Sequence, residues 1–139
     1  MSMTLSGYSG TPLVKKLGIK EGFQVLFVNE PGRYQELLID CPSINFSESE
    51  KSETIDFIHL FCTEIVRFEE VSLRVKPLLK KNGILWVSWP KGSSKIETDL
   101  SRDYIRIYLL NNGLVDVKVC AIDSEWSGLK FVYRVKDRK

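Results

Sequence analysis

Lys80-Lys81-Asn82-Gly83-Ile84-Leu85-Trp86-Val87-Ser88-Trp89-Pro90-Lys91 decides how this chain is read. A basic segment with an Asn-Gly turn feeds an uncharged, mostly apolar run that stops at Pro90 before a polar loop. Flanked by helix-like segments, such a run is the pattern of a strand buried on both faces of a parallel sheet. Open sheets of that kind hold ligands beyond the carboxyl ends of their strands. Any ligand crevice is therefore expected just past Ser88 and Trp89.

Upstream of that strand the pattern alternates between the two periods. Thr11-Pro12 offers an N-cap with proline at the first helical position and Gly18 a left-handed stop, which predicts a short helix over residues 12–17. Lys15 and Lys16 sit at the negative end of that helix, a structural role that needs no ligand. Phe23-Gln24-Val25-Leu26-Phe27-Val28 reads as a first buried strand, ending at the turn Asn29-Glu30-Pro31-Gly32, and residues 33–39 as a compact helix. Residues 43–46 suggest a short edge strand. Residues 47–54 hold three Glu, one Lys and three Ser with no apolar side chain, the composition of a solvated loop. Ile55-Asp56-Phe57-Ile58-His59-Leu60-Phe61-Cys62 returns to strand character. Ile65, Phe68, Val71, Val75 and Leu78 then recur at helical spacing, with Pro77 bending the end of the helix. The crossover from this strand through the helix to residues 84–89 is expected to be right-handed.

Downstream, residues 91–97 form a loop, and Thr98 or Asp99 is expected to cap a helix with Leu100, Tyr104, Ile107 and Tyr108 on its apolar face and Asn111-Asn112-Gly113 at its close. Residues 115–121 and 129–135 alternate apolar and polar around the turn-rich stretch 123–128, which predicts two antiparallel strands with one face buried. Residues 136–139 read as a frayed basic tail.

A chain of 139 residues fits one domain, residues 1–139, with a single sizeable core. Its 20 Lys and Arg against 18 Asp and Glu leave a charge of +2, too small an excess to signal nucleic acid or an acidic substrate. Cys41, Cys62 and Cys120 are odd in number and lack metal-ligand spacing, so reduced thiols in the cytoplasm are expected. Residues 1–10 are polar and lack the apolar core of a signal peptide, and no run approaches the length of a membrane span. A soluble cytoplasmic protein without a membrane partner follows. Lys118, Lys130 and Arg134 project from the terminal strands and discourage edge pairing, so a monomer or weak homodimer is expected.

With the element order in place, "DFIHLFC" (56–62) and "LKKNGILWVSWPK" (79–91), followed by a helix and a closing hairpin, are similar to the second half of class I S-adenosylmethionine-dependent methyltransferases. "GYSGTPLVKKLGIK" (7–20), "LWVSWPKGSSKIETDL" (85–100) and "GLVDVKVCAIDSEWSGLKFVYR" (113–134) resemble a small bacterial family defined only as a domain of unknown function, which brings no established activity. The fold implied is α/β: a three-layer, Rossmann-like, methyltransferase-like domain with a mostly parallel sheet and a C-terminal antiparallel hairpin.

The resemblance also implies where S-adenosylmethionine would bind. In those enzymes the first strand carries an acid and runs into a Gly-x-Gly turn that admits the ligand to the backbone, and an acid after the second strand takes the ribose hydroxyls. Here the first strand and turn read Val25-Leu26-Phe27-Val28-Asn29-Glu30-Pro31-Gly32, which leaves only Asn29 and Gly32 as cofactor-binding candidates. Pro31 removes a backbone donor, and Phe46-Ser47-Glu48 only loosely suits the second acid. The expected function is a non-catalytic methyltransferase-like binding or regulatory domain. Two alternatives stay open: a methyltransferase with a divergent S-adenosylmethionine site, and a small-anion or nucleotide-binding protein using residues 89–95.

For that last reading the candidates are Trp89, Lys91, Ser93, Ser94 and Lys95, with Trp126 closing over the rim. An aromatic plate, two ammonium groups, two hydroxyls and a glycine precede a helix N-terminus, whose amides attract anions. A solvated loop whose Glu97 and Asp99 cap the helix explains the same residues, and a tryptophan in a hairpin turn commonly covers the core edge. His59, the only histidine, lies inside an apolar strand and reads as a hydrogen-bonded core imidazole; with no second histidine, metal chemistry is not expected. Cys62 lies three residues after His59, on the opposite strand face, so the two do not form a nucleophile-base pair. No Gly-x-Ser-x-Gly elbow or phosphate-loop glycine pattern occurs.

Overall fold

The computed structural model describes residues 12–48 and 50–138. Six strands form one sheet in the order β2-β1-β3-β4-β6-β5: β1 Gln24–Val28, β2 Asn45–Phe46, β3 Ile55–Phe61, β4 Leu79–Pro90, β5 Leu114–Ala121 and β6 Trp126–Tyr133. Strands β2, β1, β3 and β4 run parallel. β6 lies antiparallel to both β4 and β5. The α/β architecture with a mostly parallel sheet and an antiparallel C-terminal hairpin is as the sequence predicts.

Alternation along the strands divides the core into two layers. Ile58, Leu60, Leu85, Val87, Leu129 and Phe131 point to one face, where they pack against Phe68, Val71 and Val75 of α3 (Ile65–Val75) and Ile105 and Leu109 of α4 (Arg102–Leu110). Phe57, Phe61, Trp86 and Trp126 point to the other, against Leu13, Val14 and Leu17 of α1 (Leu13–Leu17) and Tyr34 of α2 (Tyr34–Leu37). Helices on both faces exclude water from the central strands, and each fully buried Leu, Ile or Phe there contributes about 1.5–3 kcal/mol. The connection from β2 to β3 carries no helix. Leu26 and Val28 are accordingly only partly buried and line a groove of about 470 Å³ with Glu48, Pro77 and Leu78.

Several local expectations shift. The Lys80-Lys81-Asn82-Gly83 segment is not a turn before the strand but part of β4, carried as a bulge of three extra residues: β3 advances from Ile55 to Phe57 while β4 advances from Leu79 to Ile84. Asp56 anchors it, accepting from the Gln24 amide at 2.8 Å and pairing with Lys80 Nζ at 3.0 Å. Pro77 lies in a 3-10 turn, Lys76–Leu78, that ends α3 early. α2 is shorter than residues 33–39, and β6 begins at Trp126, inside the stretch read as a turn. Residues 135–137 form a 3-10 turn rather than a frayed tail, and Arg138 Nε donates to the Tyr133 carbonyl at 2.9 Å. Pro12 stands at the N-cap of α1 instead of its first turn. Thr11, the polar stretch 1–10 and Lys139 lie outside the described residues. Among the described residues no helix is long and apolar enough to cross a membrane.

The bulge tests this reading of β4. A Cβ on Gly83 would stand 2.7 Å from Leu79 Cδ1 and 3.0 Å from the Lys80 carbonyl oxygen, whereas one on Gly32 meets nothing within 4 Å. Gly83→Ala is expected to cost about 1–3 kcal/mol in chemical denaturation, and Gly32→Ala no more than about 0.5 kcal/mol. Equal stability of the two variants would contradict the bulge geometry.

Candidate functional site

The strand order reverses at β1, which has β2 on one side and β3 on the other, so the crevice that α/β sheets use for ligands opens at the carboxyl ends of β1 and β3. Four segments meet on that rim. Arg33, after β1, faces Asp123 before β6 at 3.9 Å. Asp123 Oδ1 accepts from the amides of Glu125 and Trp126, closing the hairpin turn. The Lys91 amide, after β4, donates to the Glu125 carbonyl at 2.8 Å, and the Cys62 amide, after β3, donates to the Ser88 carbonyl at 3.0 Å.

A cleft of about 640 Å³ lies on this rim beyond β3 and β4, lined by Thr63, Glu64, Lys91, Gly92, Ser94, Ile96, Glu97, Thr98 and Asp99. Of the sequence candidates, Lys91 and Ser94 face it; Ser93 and Lys95 are exposed outside the lining. Trp89 and Trp126 are each 9% exposed. Trp89 packs into the α3/α4 layer, and Trp126 sets its ring edge-on to Phe61 at 5.3 Å in the other. The second tryptophan covers the core edge, as its hairpin position suggested.

The loop folds back on α3 before it starts α4. Thr98 Oγ1 donates to the Thr63 carbonyl at 2.6 Å, and Asp99 Oδ1 accepts from the Ile65 amide at 2.7 Å, so Asp99 caps α3 instead of its own helix. Ser101 caps α4, its Oγ accepting from the Tyr104 amide at 3.2 Å. Sequence reading placed the α4 cap two or three residues early because it saw two good capping residues and not the tertiary partner that takes them. The lining carries one ammonium, Lys91, against the carboxylates of Glu64, Glu97 and Asp99. That balance attracts cations and hydroxyls more than anions.

The turn after β1 is where the resemblance puts the cofactor. Asn29 is exposed and adopts φ 58°, a left-handed conformation that glycine takes at lower cost. Pro31 has no amide to offer, and its carbonyl already accepts from the Tyr34 amide at 2.9 Å. Only Gly32 leaves open space beside the backbone. Val25 to Val28 contain no acid, and Glu48 lies along the groove beside Leu26 and Val28. This donor set does not fit a cofactor that must approach the backbone of the turn closely.

Beneath the rim lies a polar chain that the sequence only half revealed. Tyr34 Oη lies 2.7 Å from His59 Nδ1, and His59 Nε2 lies 2.7 Å from Ser88 Oγ; all three residues are fully buried. Either imidazole tautomer satisfies both nitrogens, since a hydroxyl donates or accepts. Phe61 stacks on His59 at 4.2 Å, and Tyr34 meets it edge-on at 5.0 Å. Burial holds the imidazole neutral, with its pKa lowered to about 3, and pushes the Tyr34 phenol up, with smaller contributions from Cys41 and Glu30. A hydrogen-bonded core histidine is what its place in an apolar strand predicts. Ser88, a hydroxyl inside the run Leu85 to Trp89, was the missed signal, because a buried polar side chain requires a partner. The described residues contain no cluster able to hold a metal ion, and the three cysteines are free thiols.

No family model and no curated protein matches this chain. Solved structures do. The chain is similar to a SAM-dependent methyltransferase from Aquifex aeolicus (16% identity, 86% of each chain, TM-score 0.57). It is similar also to a putative type 11 methyltransferase from Sulfolobus solfataricus (14% identity, 87% of this chain and 89% of that one, TM-score 0.61). A putative sarcosine dimethylglycine methyltransferase from Galdieria sulphuraria aligns at 11% identity over 86% and 83% of the two chains, with a TM-score of 0.57. At such identities the likeness shows the fold, which is methyltransferase-like.

The buried histidine gives stability a signed pH dependence. The unfolded imidazole titrates near 6.5 and the folded one near 3, so within that window the unfolded state binds a proton that the native state does not. Stability from this group is complete above about pH 6.5 and falls by about 1.4 kcal/mol per pH unit on descending toward pH 3. In urea denaturation between pH 7 and 5, His59→Gln is expected to be less stable at pH 7 yet to show a shallower slope. An unchanged slope would mean that His59 is not buried neutral.

Proposed function

We propose that this methyltransferase-like domain binds or regulates without transferring a methyl group. The observation that carries the reading is the turn after β1, where the Asn29 conformation, the missing amide of Pro31 and a single glycine replace the backbone cradle a sulfonium cofactor requires. His59 supports it: with both ring nitrogens engaged and no solvent access, the imidazole is unavailable as a general base. Three free thiols suit a reducing, cytoplasmic setting.

Two observations keep competing readings testable. Open space beside Gly32 favours a divergent cofactor site. Lys91, Gly92 and Ser94 in the cleft lining favour a small anion or nucleotide, against the three carboxylates that share it.

A thermal-shift panel with S-adenosylmethionine, S-adenosylhomocysteine, nucleotides and sulfate separates the three. A ligand at about one hundred times its dissociation constant adds about 2.7 kcal/mol, a rise of roughly 10 °C for a chain of this size. The non-catalytic reading expects no shift with either cofactor form. A cofactor shift abolished by Gly32→Val would replace it with the methyltransferase reading. A nucleotide or sulfate shift lost in Lys91→Ala would assign the cleft to an anion.

A further inference from the structure

Away from the cleft, Lys20, Lys118 and Lys130 gather near the end of α1. Lys118 on β5 and Lys130 on β6 are direct partners across the antiparallel pair, so two ammonium stems leave one face of the sheet side by side. Lys118 Nζ lies 3.3 Å from the Lys16 carbonyl oxygen. Lys130 Nζ comes within 3.8 Å of where a Cβ on Gly18 would stand, and Lys20 follows two residues later. Burial, then the charges of Lys118 and Lys20, hold the Lys130 ammonium below its ordinary pKa.

Helix capping does not account for this gathering. Val14 O accepts from the amides of Gly18 and Ile19, and Lys15 O accepts from Gly18. Lys16 O is taken by Lys118, and Leu17 O by Trp86 Nε1 at 2.9 Å. The last carbonyls of α1 are thus satisfied with one ammonium group, which leaves Lys20 and Lys130 with no capping work. Among the described residues none of Lys20, Lys118 and Lys130 is ion-paired with a carboxylate. Like charges directly opposite in a sheet destabilise it, and half-buried Lys130 also gives up hydration. An anion removes both penalties at once.

We propose that Lys20, Lys118 and Lys130 form a binding site for a chain of linked phosphates, as in inorganic polyphosphate or the phosphate tail of a nucleotide. The three ammonium groups reach the site from the α1–β1 connection, β5 and β6, so a ligand that satisfies them must itself be extended and carry several charges; single sulfate or phosphate ions meet that demand poorly. Lysine suits it as a point charge that does not impose the bidentate geometry of arginine. The site shares no residue with the cleft at Lys91 and stands whether or not that cleft holds a ligand.

Calorimetric titration of sodium tripolyphosphate at 0.15 M salt tests the assignment on the full chain, with ATP and sodium sulfate as parallel arms. Tripolyphosphate is expected to bind the wild type and Lys91→Ala alike, more tightly than sulfate, and about tenfold more weakly in Lys130→Gln, with a further loss in Lys20→Gln/Lys130→Gln. ATP binding as tightly as tripolyphosphate supports recognition of the phosphate chain alone; tighter ATP binding supports the site and identifies a nucleotide as its source. Without ligand, Lys130→Gln is expected to melt no lower than the wild type, because it relieves repulsion. Absence of tripolyphosphate binding, equal affinity in the double variant, or a lower melting temperature of unliganded Lys130→Gln would overturn the proposal.

Discussion

The hydrogen-bonded line from Tyr34 through His59 to Ser88 constrains more of this structure than any other interaction. It ties the helix after β1 to the middle of β3 and the end of β4, inside a layer that also holds Phe57, Phe61, Trp86 and Trp126. A buried imidazole or hydroxyl without a partner costs about 1–3 kcal/mol, so the packing of these elements is fixed relative to one another. Parallel pairing sets His59 against Trp86; a slip of one residue would send His59 and Ser88 into the other layer, under α3 and α4. Gly128 completes the arrangement from β6. A Cβ there would meet Ser88 Oγ and Trp86 Cε3 at 3.1 Å.

The same line bears on function. Methyltransferase-like folds place chemistry in the loops at the carboxyl ends of the strands, and fold alone does not carry activity. Here those loops are fastened to one another: Arg33 to Asp123, Lys91 to Glu125, and Thr98 and Asp99 to the start of α3. At the two helix starts one amide each is already capped, that of Ile65 by Asp99 and that of Tyr104 by Ser101. The one imidazole is committed to the core. The result is a scaffold whose ligand-facing end is acidic along the cleft, while Lys118 and Lys130 stand side by side on the antiparallel β5–β6 pair.

Sequence made the layered sheet legible because periodicity reports burial directly: Ile84 to Trp89 and Ile55 to Phe61 are mostly apolar runs and lie in the centre, while residues 115–121 alternate and form the edge. Turns were less legible. Asn82-Gly83 has turn chemistry, yet Asp56 holds it inside β4 as a bulge, a contact with no local signature. Asp99 looked like a cap for the helix that follows it and caps a helix 34 residues earlier. At the candidate site, Lys91 and Ser94 line the cleft while Ser93 and Lys95 lie outside it, a difference that composition does not signal because whether a loop residue faces a cleft depends on tertiary hydrogen bonds. Thr63 and Glu64 went unnoticed since they belong to the end of another strand.

Nuclear magnetic resonance titration of His59 probes the buried hydrogen-bonded line itself, because the chain has a single histidine and its imidazole signals need no assignment among competitors. His59 is expected to stay neutral, with both ring nitrogens shielded from exchange, from pH 8 down to the onset of acid unfolding. An imidazole that titrates reversibly near pH 6.5 in the folded protein would contradict a locked core, since that proton could come only from solvent reaching a fully buried group.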